Sequence, residues 1–203
     1  MKLLHGPGTI DLEIQGETLT CKGGGLNDKF MTGLSQSGNF QNGTMSIAAQ
    51  GSFDNLSLLI KVKDTILRDF RTLNNMMAFI NTIPALMTFS LPKYNSEGLP
   101  ITSLVLGGKM VDSIATIESL DVNSPVLSIT GKGSIDFSQK KIDMGMNLIT
   151  SAKTSINKIP LVGFVLVGDE KRPSITMKIT GDLTDPEVNN SMYRDIAKTP
   201  FSM

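Results

Sequence analysis

From Gly8 onward, apolar residues recur at every second position in short runs. That period places alternate side chains on one face of a pleated strand. Ile10, Leu12 and Ile14 form the first stripe, with Asp11, Glu13 and Gln15 opposite. Gly16 ends it, and Leu19 and Cys21 belong to a second segment that stops at Gly23-Gly24-Gly25. A less regular stretch over 30–40 carries Gly33 and Gly38. Met45 and Ile47 then alternate up to Gly51, and Leu56, Leu58, Ile60 and Val62 make the clearest stripe of the first half. These runs predict an antiparallel meander.

Asp64 breaks the alternation and reads as an N-cap, since its carboxylate can accept a free amide of a first helical turn. Ile66, Leu67, Phe70, Leu73, Met77 and Ile80 follow at helical spacing, predicting a helix over 64–82 whose Met- and Phe-bearing face packs a core. Pro84 ends it. Strands are predicted again over 101–106, 110–122, 126–131 and 133–137, with a bend where Gly131 and Gly133 flank Lys132. After the polar turn Ser138-Gln139-Lys140-Lys141, Ile142, Met144, Met146 and Leu148 alternate without a break. Residues 156–167 are an apolar stretch, Ile175, Met177 and Ile179 mark a last strand, and a short helix is expected from Glu187 to before Pro200. The division expected is a strand-rich part over 1–63, a helical segment with an Ile-Pro turn over 64–91, and a second strand-rich region over 92–203.

Two phrases recur. Ile80-Asn81-Thr82-Ile83-Pro84 returns as Ile156-Asn157-Lys158-Ile159-Pro160, and Gly8-Thr9-Ile10-Asp11-Leu12 resembles Gly133-Ser134-Ile135-Asp136-Phe137. A true repeat would imply a sheet that grows by adding equivalent units and presents a long surface in place of one pocket.

Composition narrows the function classes. Lys+Arg and Asp+Glu are both 19, so no basic field exists to neutralise a phosphate backbone, and nucleic acid is not an expected partner. The single histidine, His5, sits in an N-terminus expected to be disordered, and Cys21 alternates with Leu19 as a small buried side chain. Metal clusters and Ser/His or Cys/His catalytic pairs therefore lack a second member. Asp136 and Asp143 are the one carboxylate pair to consider for glycoside chemistry, but both flank a polar turn as ordinary solvated groups. Neither glycine-rich stretch is followed by the Lys-Ser/Thr of a phosphate loop. No enzyme and no cofactor is expected. No window approaches the roughly 18 apolar residues of a membrane-spanning helix, so a membrane anchor is expected only in a longer relative.

Apolar surface remains. The stripes Ile10/Leu12/Ile14, Leu56/Leu58/Ile60/Val62, Ile142/Met144/Met146/Leu148 and Ile175/Met177/Ile179 would line one face of a sheet. Periodicity leaves two readings open: the closed core of a sandwich, or a curved sheet that fails to close and holds a groove.

The second half carries a further pattern. Gly131-Lys132-Gly133-Ser134-Ile135-Asp136-Phe137, Lys141-Ile142-Asp143-Met144, Ile159-Pro160-Leu161-Val162-Gly163 with Gly168, and Ile179-Thr180-Gly181-Asp182-Leu183-Thr184-Asp185-Pro186-Glu187-Val188 occur in that order. Together they resemble the AsmA-like C-terminal region, and Ala197-Lys198-Thr199-Pro200-Phe201 is similar to the tail of its YhdP-type members. The likeness covers residues 75–203 well and the first seventy only in texture. It implies a mainly β fold with one or two helices, an extended, twisted antiparallel sheet forming an incompletely closed apolar groove. It also implies a periplasmic part of an inner-membrane-anchored Gram-negative envelope protein. Such proteins are implicated in phospholipid transport between inner and outer membranes and in outer-membrane biogenesis. The expected ligand is the phospholipid acyl chain, lying on the four stripes. The alternative is a non-catalytic structural or assembly module that docks other envelope proteins, for instance by strand addition.

Overall fold

The computed structural model describes residues 2–5, 8–35, 39–52, 54–68, 75, 98–150, 165–167 and 172–190. The alternating runs become β1 (Lys2–His5), β2 (Gly8–Gln15), β3 (Thr18–Leu26), β4 (Asn39–Gln41), β5 (Thr44–Gly51) and β6 (Asn55–Arg68). They continue as β7 (Leu99–Val111), β8 (Ile114–Asn123), β9 (Leu127–Asp136), β10 (Lys141–Thr150), β11 (Val165–Val167), β12 (Arg172–Asp182) and β13 (Asp185–Asn190). One helix, α1 (Asp28–Ser35), lies between β3 and β4.

All thirteen strands join one sheet in the order β1-β2-β3-β5-β6-β7-β8-β9-β10-β12-β11, with β4 beside β6 and β13 beside β12. Every pairing is antiparallel. The path is linear: β1 and β11 stand at opposite ends and do not pair, so the sheet is not closed into a barrel. Fold class is therefore mainly β, an open antiparallel sheet with one described helix.

Cross-strand partners lie on the same face of a sheet, which lets the faces be traced. Ile10 pairs with Gly23, Gly23 with Ile47, Ile47 with Ile60, Ile60 with Leu106 and Leu106 with Leu120. The row continues through Gly131 and Met146 to Met177. A second row runs Leu26, Met45, Val62, Leu104, Val122, Ile129, Leu148, Ile175. This face is apolar along the whole path. The opposite face carries Lys22, Lys61, Lys132 and two exposed ion pairs, Lys109–Glu118 at 2.9 Å and Lys178–Asp143 at 3.2 Å. Such exposed pairs contribute little stability.

Two one-residue slips keep the faces in register over so many strands. Between Gly23 and Leu26 β3 holds an extra residue against β5, and β8 holds one against both neighbours, opposite Gly107-Gly108 of β7 and, between Ile117 and Leu120, against β9. The bend expected at Gly131 and Gly133 thus falls on the strand opposite them. Those glycines are needed for close approach: a Cβ on Gly131 would lie 3.2 Å from the Gly145 oxygen and 3.3 Å from Met146 Cγ.

Several expectations are corrected. Asp64 is no N-cap: it lies inside β6 with φ 53, and the strand continues to Arg68. Burial changes parity there, from Val62 to Thr65 and Leu67, and the partner strand changes with it, from Leu104 to Ile101 and Leu99. Thr65, buried, donates its hydroxyl to the Gln41 carbonyl at 3.1 Å, so no polar group is stranded by the switch. The rest of the expected 64–82 helix lies outside the described residues except Asn75, which is helical. The single strand expected over 110–122 is two, split by a turn at Asp112 and Ser113, whose φ values of 46 and 70 make a tight hairpin. The segments 126–131 and 133–137 are one strand, β9. Residues 185–190 are strand, not the start of a helix, and His5 belongs to β1. Gly8 opens β2 whereas Gly133 lies late in β9, so that pair of phrases occupies unlike places; both Ile-Pro phrases lie outside the described residues.

The helix α1 falls in the stretch expected to be irregular. Asn27 caps it, its Oδ1 accepting the Phe30 amide at 3.2 Å. Asp28 Oδ2 accepts the Asn42 amide at 2.9 Å, and Thr32 Oγ1 accepts the Phe40 amide at 3.0 Å, fastening the helix to the chain that follows. The signal was present: Asn27-Asp28 ahead of Phe30, Met31 and Leu34 is a cap followed by helical spacing.

Candidate functional site: an open apolar face

Every residue of the four predicted stripes falls on the same face. Ile10, Leu12 and Ile14 pair with Gly23, Cys21 and Leu19, and Leu58 and Leu56 pair with Ala49 and Gly51. Across the sheet, Ile142, Met144, Met146 and Leu148 meet Gly181, Ile179, Met177 and Ile175. Ile60 and Val62 stand in the two rows traced above. Residues the stripes omitted complete the face, among them Met45 and Ile47 on β5, Leu104 and Leu106 on β7, and Leu127 and Ile129 on β9. They alternate too, but the bulges in β3 and β8 shift parity in the strands beside them, so alternation alone does not show which of their faces joins the stripes.

Burial is graded over this face. On β10 and β12 the apolar residues of this face are buried, with Leu148, Ile175, Met177 and Ile179 at 0% exposure. On β2 and β6, Ile10, Leu12, Leu56, Leu58 and Ile60 are half-buried, and Ile14 is 54% exposed. Cys21, free and half-buried, sits between Leu12 and Ala49 in this open half. The helix α1 covers one margin: Met31 is buried with Leu26, Met45 and Val62, and Phe30 packs beside them. The other margin is a line of tight turns, at Gly16-Glu17, Asp112-Ser113, 137–140 and Leu183-Thr184. Those turns are tied side by side: the Phe137 amide donates to the Ser113 carbonyl at 3.0 Å and the Leu183 amide to the Lys140 carbonyl at 2.8 Å. Asn75 Nδ2 donates to the Pro186 carbonyl at 2.9 Å, which places Asn75 beside β13.

Chemically the face offers hydrocarbon. Among the described residues the only buried polar side chains are Thr65 and Ser174, and Ser174 donates to Asn147 Oδ1 at 2.6 Å. The carboxylate pair considered from sequence is not assembled for acid–base work. Asp136 pairs with Lys141 while Asp143 sits two residues further along β10 beside Ser134 and bridges to Lys178. The Ser138 hydroxyl, then the Gln139 amide, hold the Asp136 carboxyl below its usual range, the reverse of what a general acid needs. No three His, Cys, Asp or Glu among the described residues could hold a metal ion, and no described helix is long and apolar enough to cross a membrane.

No curated protein and no solved structure is significantly similar to the chain. A family model described as YhdP protein matches residues 22–188, from within β3 to within β13, and so reaches well into the half where the sequence likeness was one of texture. With that match spanning most of an unclosed sheet whose one face is apolar throughout, the chain belongs to the YhdP family.

Proposed function

We propose that the chain is a lipid-binding or lipid-conducting segment of a Gram-negative envelope protein, working in the periplasm in phospholipid transport between inner and outer membranes. The observation that carries this reading is the apolar face, continuous from β2 to β12 and half-exposed along β2 and over Leu56, Leu58 and Ile60 of β6. An acyl chain laid on such a face gains about 0.8 kcal/mol for each methylene removed from water. Unspecialised Ile, Leu, Val and Met side chains impose no directional bond, so a chain can slide along the rows. Membership of the YhdP family supports the same reading, and so do the fold and cellular role implied by the sequence likeness. The role requires no catalytic residue.

Uptake of a labelled phospholipid by the purified, delipidated chain tests it. Leu58→Asp puts a charge in the half-buried part of the face, between Ala49 and Gly108, where the fold can hydrate it. The expected result is uptake by the parent chain and a loss of roughly tenfold or more in the variant, because the charge must be desolvated beneath the acyl chain. No uptake by the parent, or equal uptake by both, counts against the proposal. A second reading, a module that docks another envelope protein, draws on β1, whose one partner among the described strands is β2. It predicts capture of a specific protein that Leu58→Asp leaves unchanged.

A further inference from the structure

Exposure separates one methionine from the others. Among the described residues Met31, Met45, Met144, Met146 and Met177 are at most 9% exposed, whereas Met110 is 38% exposed. Met110 belongs to the apolar face: it pairs with Leu56 on β6 and Ala115 on β8, and that row runs back to Ile14 on β2 and on through Ile135 to Ile142. Ile14 is 54% exposed and Ile142 only 7%, so Met110 stands where the open part of the face gives way to the buried part. Within β7 its neighbour on the same face is Gly108, which has no side chain, and beyond Val111 the chain turns at Asp112-Ser113.

A leucine or valine at such a position would need no explanation. A thioether differs because it reacts. Its sulfur lone pair takes one oxygen of a peroxide as the O–O bond breaks: an S–O bond forms, sulfur loses two electrons, and the second oxygen leaves as water. The product, a sulfoxide, is a polar hydrogen-bond acceptor in place of a flexible hydrocarbon-like chain. The step is reversible, since a methionine sulfoxide reductase with a dithiol returns the thioether and releases the oxygen as water while the dithiol becomes a disulfide. At Met110 the new oxygen can stay hydrated and the fold can persist. The same change at the wholly buried Met177 would strand a polar group in the core.

We infer that Met110 is a reversible oxidation site that regulates the apolar face. As a thioether it continues the hydrocarbon between Leu56 and Ala115; as a sulfoxide it sets a hydrated acceptor in that row, where the open and buried parts of the face meet. An acyl chain lying across the row must then strip water from the oxygen without offering it a hydrogen bond in return. The inference rests on the lipid reading above and adds to it a means of control by a peroxide.

Limited treatment of the full chain with hydrogen peroxide is the test, read by peptide mass spectrometry and by uptake of a labelled phospholipid. Met110 is expected to gain oxygen roughly tenfold or more ahead of Met144, Met146 and Met177, because the oxidant must reach the sulfur; in urea all of them should oxidise alike. Uptake should fall roughly fivefold or more as the Met110 sulfoxide forms, since its oxygen must be desolvated beneath the acyl chain. Methionine sulfoxide reductases with a dithiol should restore it. M110L should show the same uptake before and after peroxide, and M110Q, polar and of like length, should resemble the oxidised parent. Oxidation of Met110 no faster than of the buried methionines overturns the inference, as does unchanged uptake by chain that carries the sulfoxide. Loss of uptake by M110L under peroxide also overturns it, assigning the effect to Cys21 or another residue. Selective oxidation of Met110 in a parent that takes up no lipid would instead sink the lipid reading and leave the oxidation site standing.

Discussion

Met177→Asp is expected to leave the chain largely unfolded at neutral pH. Met177 is wholly buried, paired with Met146 on β10 and flanked on its own strand by Ile175 and Ile179, all within one apolar cluster. An aspartate there would have to ionise without a partner or fold only when protonated. The cost is about 4 kcal/mol or more, close to the whole stability of a domain at the low end of the ~5–15 kcal/mol range. Urea unfolding followed by far-ultraviolet circular dichroism would measure it. Met177→Leu, close in volume, should cost less than about 1.5 kcal/mol. If Met177→Asp keeps the parent's midpoint, the face at β12 is open to water and the graded burial described above is wrong.

Gly133→Val should be nearly as damaging, for a steric reason. A Cβ at this position would overlap the Asp143 carbonyl oxygen and lie 2.6 Å from Met144 Cα, with Met144 Cγ at 2.9 Å. The only relief is to part β9 from β10 next to the β8 bulge, which costs about 3 kcal/mol in lost ladder bonds and packing. Gly24→Ala is the matched comparison, because a Cβ there meets nothing within 4 Å. It should change the unfolding midpoint little, and equal effects from the two substitutions would show that Gly133 has no special place.

What the sequence made legible was the choice of face. Strand alternation has a period of two, so Leu56, Leu58, Ile60 and Val62 could be assigned to one side without knowing their neighbours, and cross-strand register then brought the four stripes together. Events that break the period were not legible. Asp64 looks like a helix cap because it follows the last regular stripe, yet it is a left-handed residue inside a strand, where burial changes parity. Asp112-Ser113 carries no glycine or proline, so the hairpin between β7 and β8 reads as continuous strand. The helix α1 is only eight residues long and contains Gly33, which masked its spacing.

Closure was illegible in principle. A sandwich core and an open groove have the same alternation, and the difference lies in curvature and in which edges pair. Here it is set by a linear strand order with β1 and β11 unpaired to each other, and by bulges in β3 and β8 that turn the sheet without breaking its faces. Burial is graded on this open sheet: hydrocarbon is buried across β10 and β12 and remains partly exposed along β2 and over Leu56, Leu58 and Ile60 of β6.

The most direct test of a lipid-holding face is to ask where an acyl chain touches the protein. Phospholipid bearing a photoactivatable diazirine in its acyl chain would be loaded onto the chain, cross-linked and mapped by peptide mass spectrometry. The account predicts adducts on inward residues of the open half, chiefly Ile10, Leu12, Leu58 and Ile60. Adducts confined to the opposite face, at Leu59, Lys61 or Lys63, or no adduct at all, would contradict it.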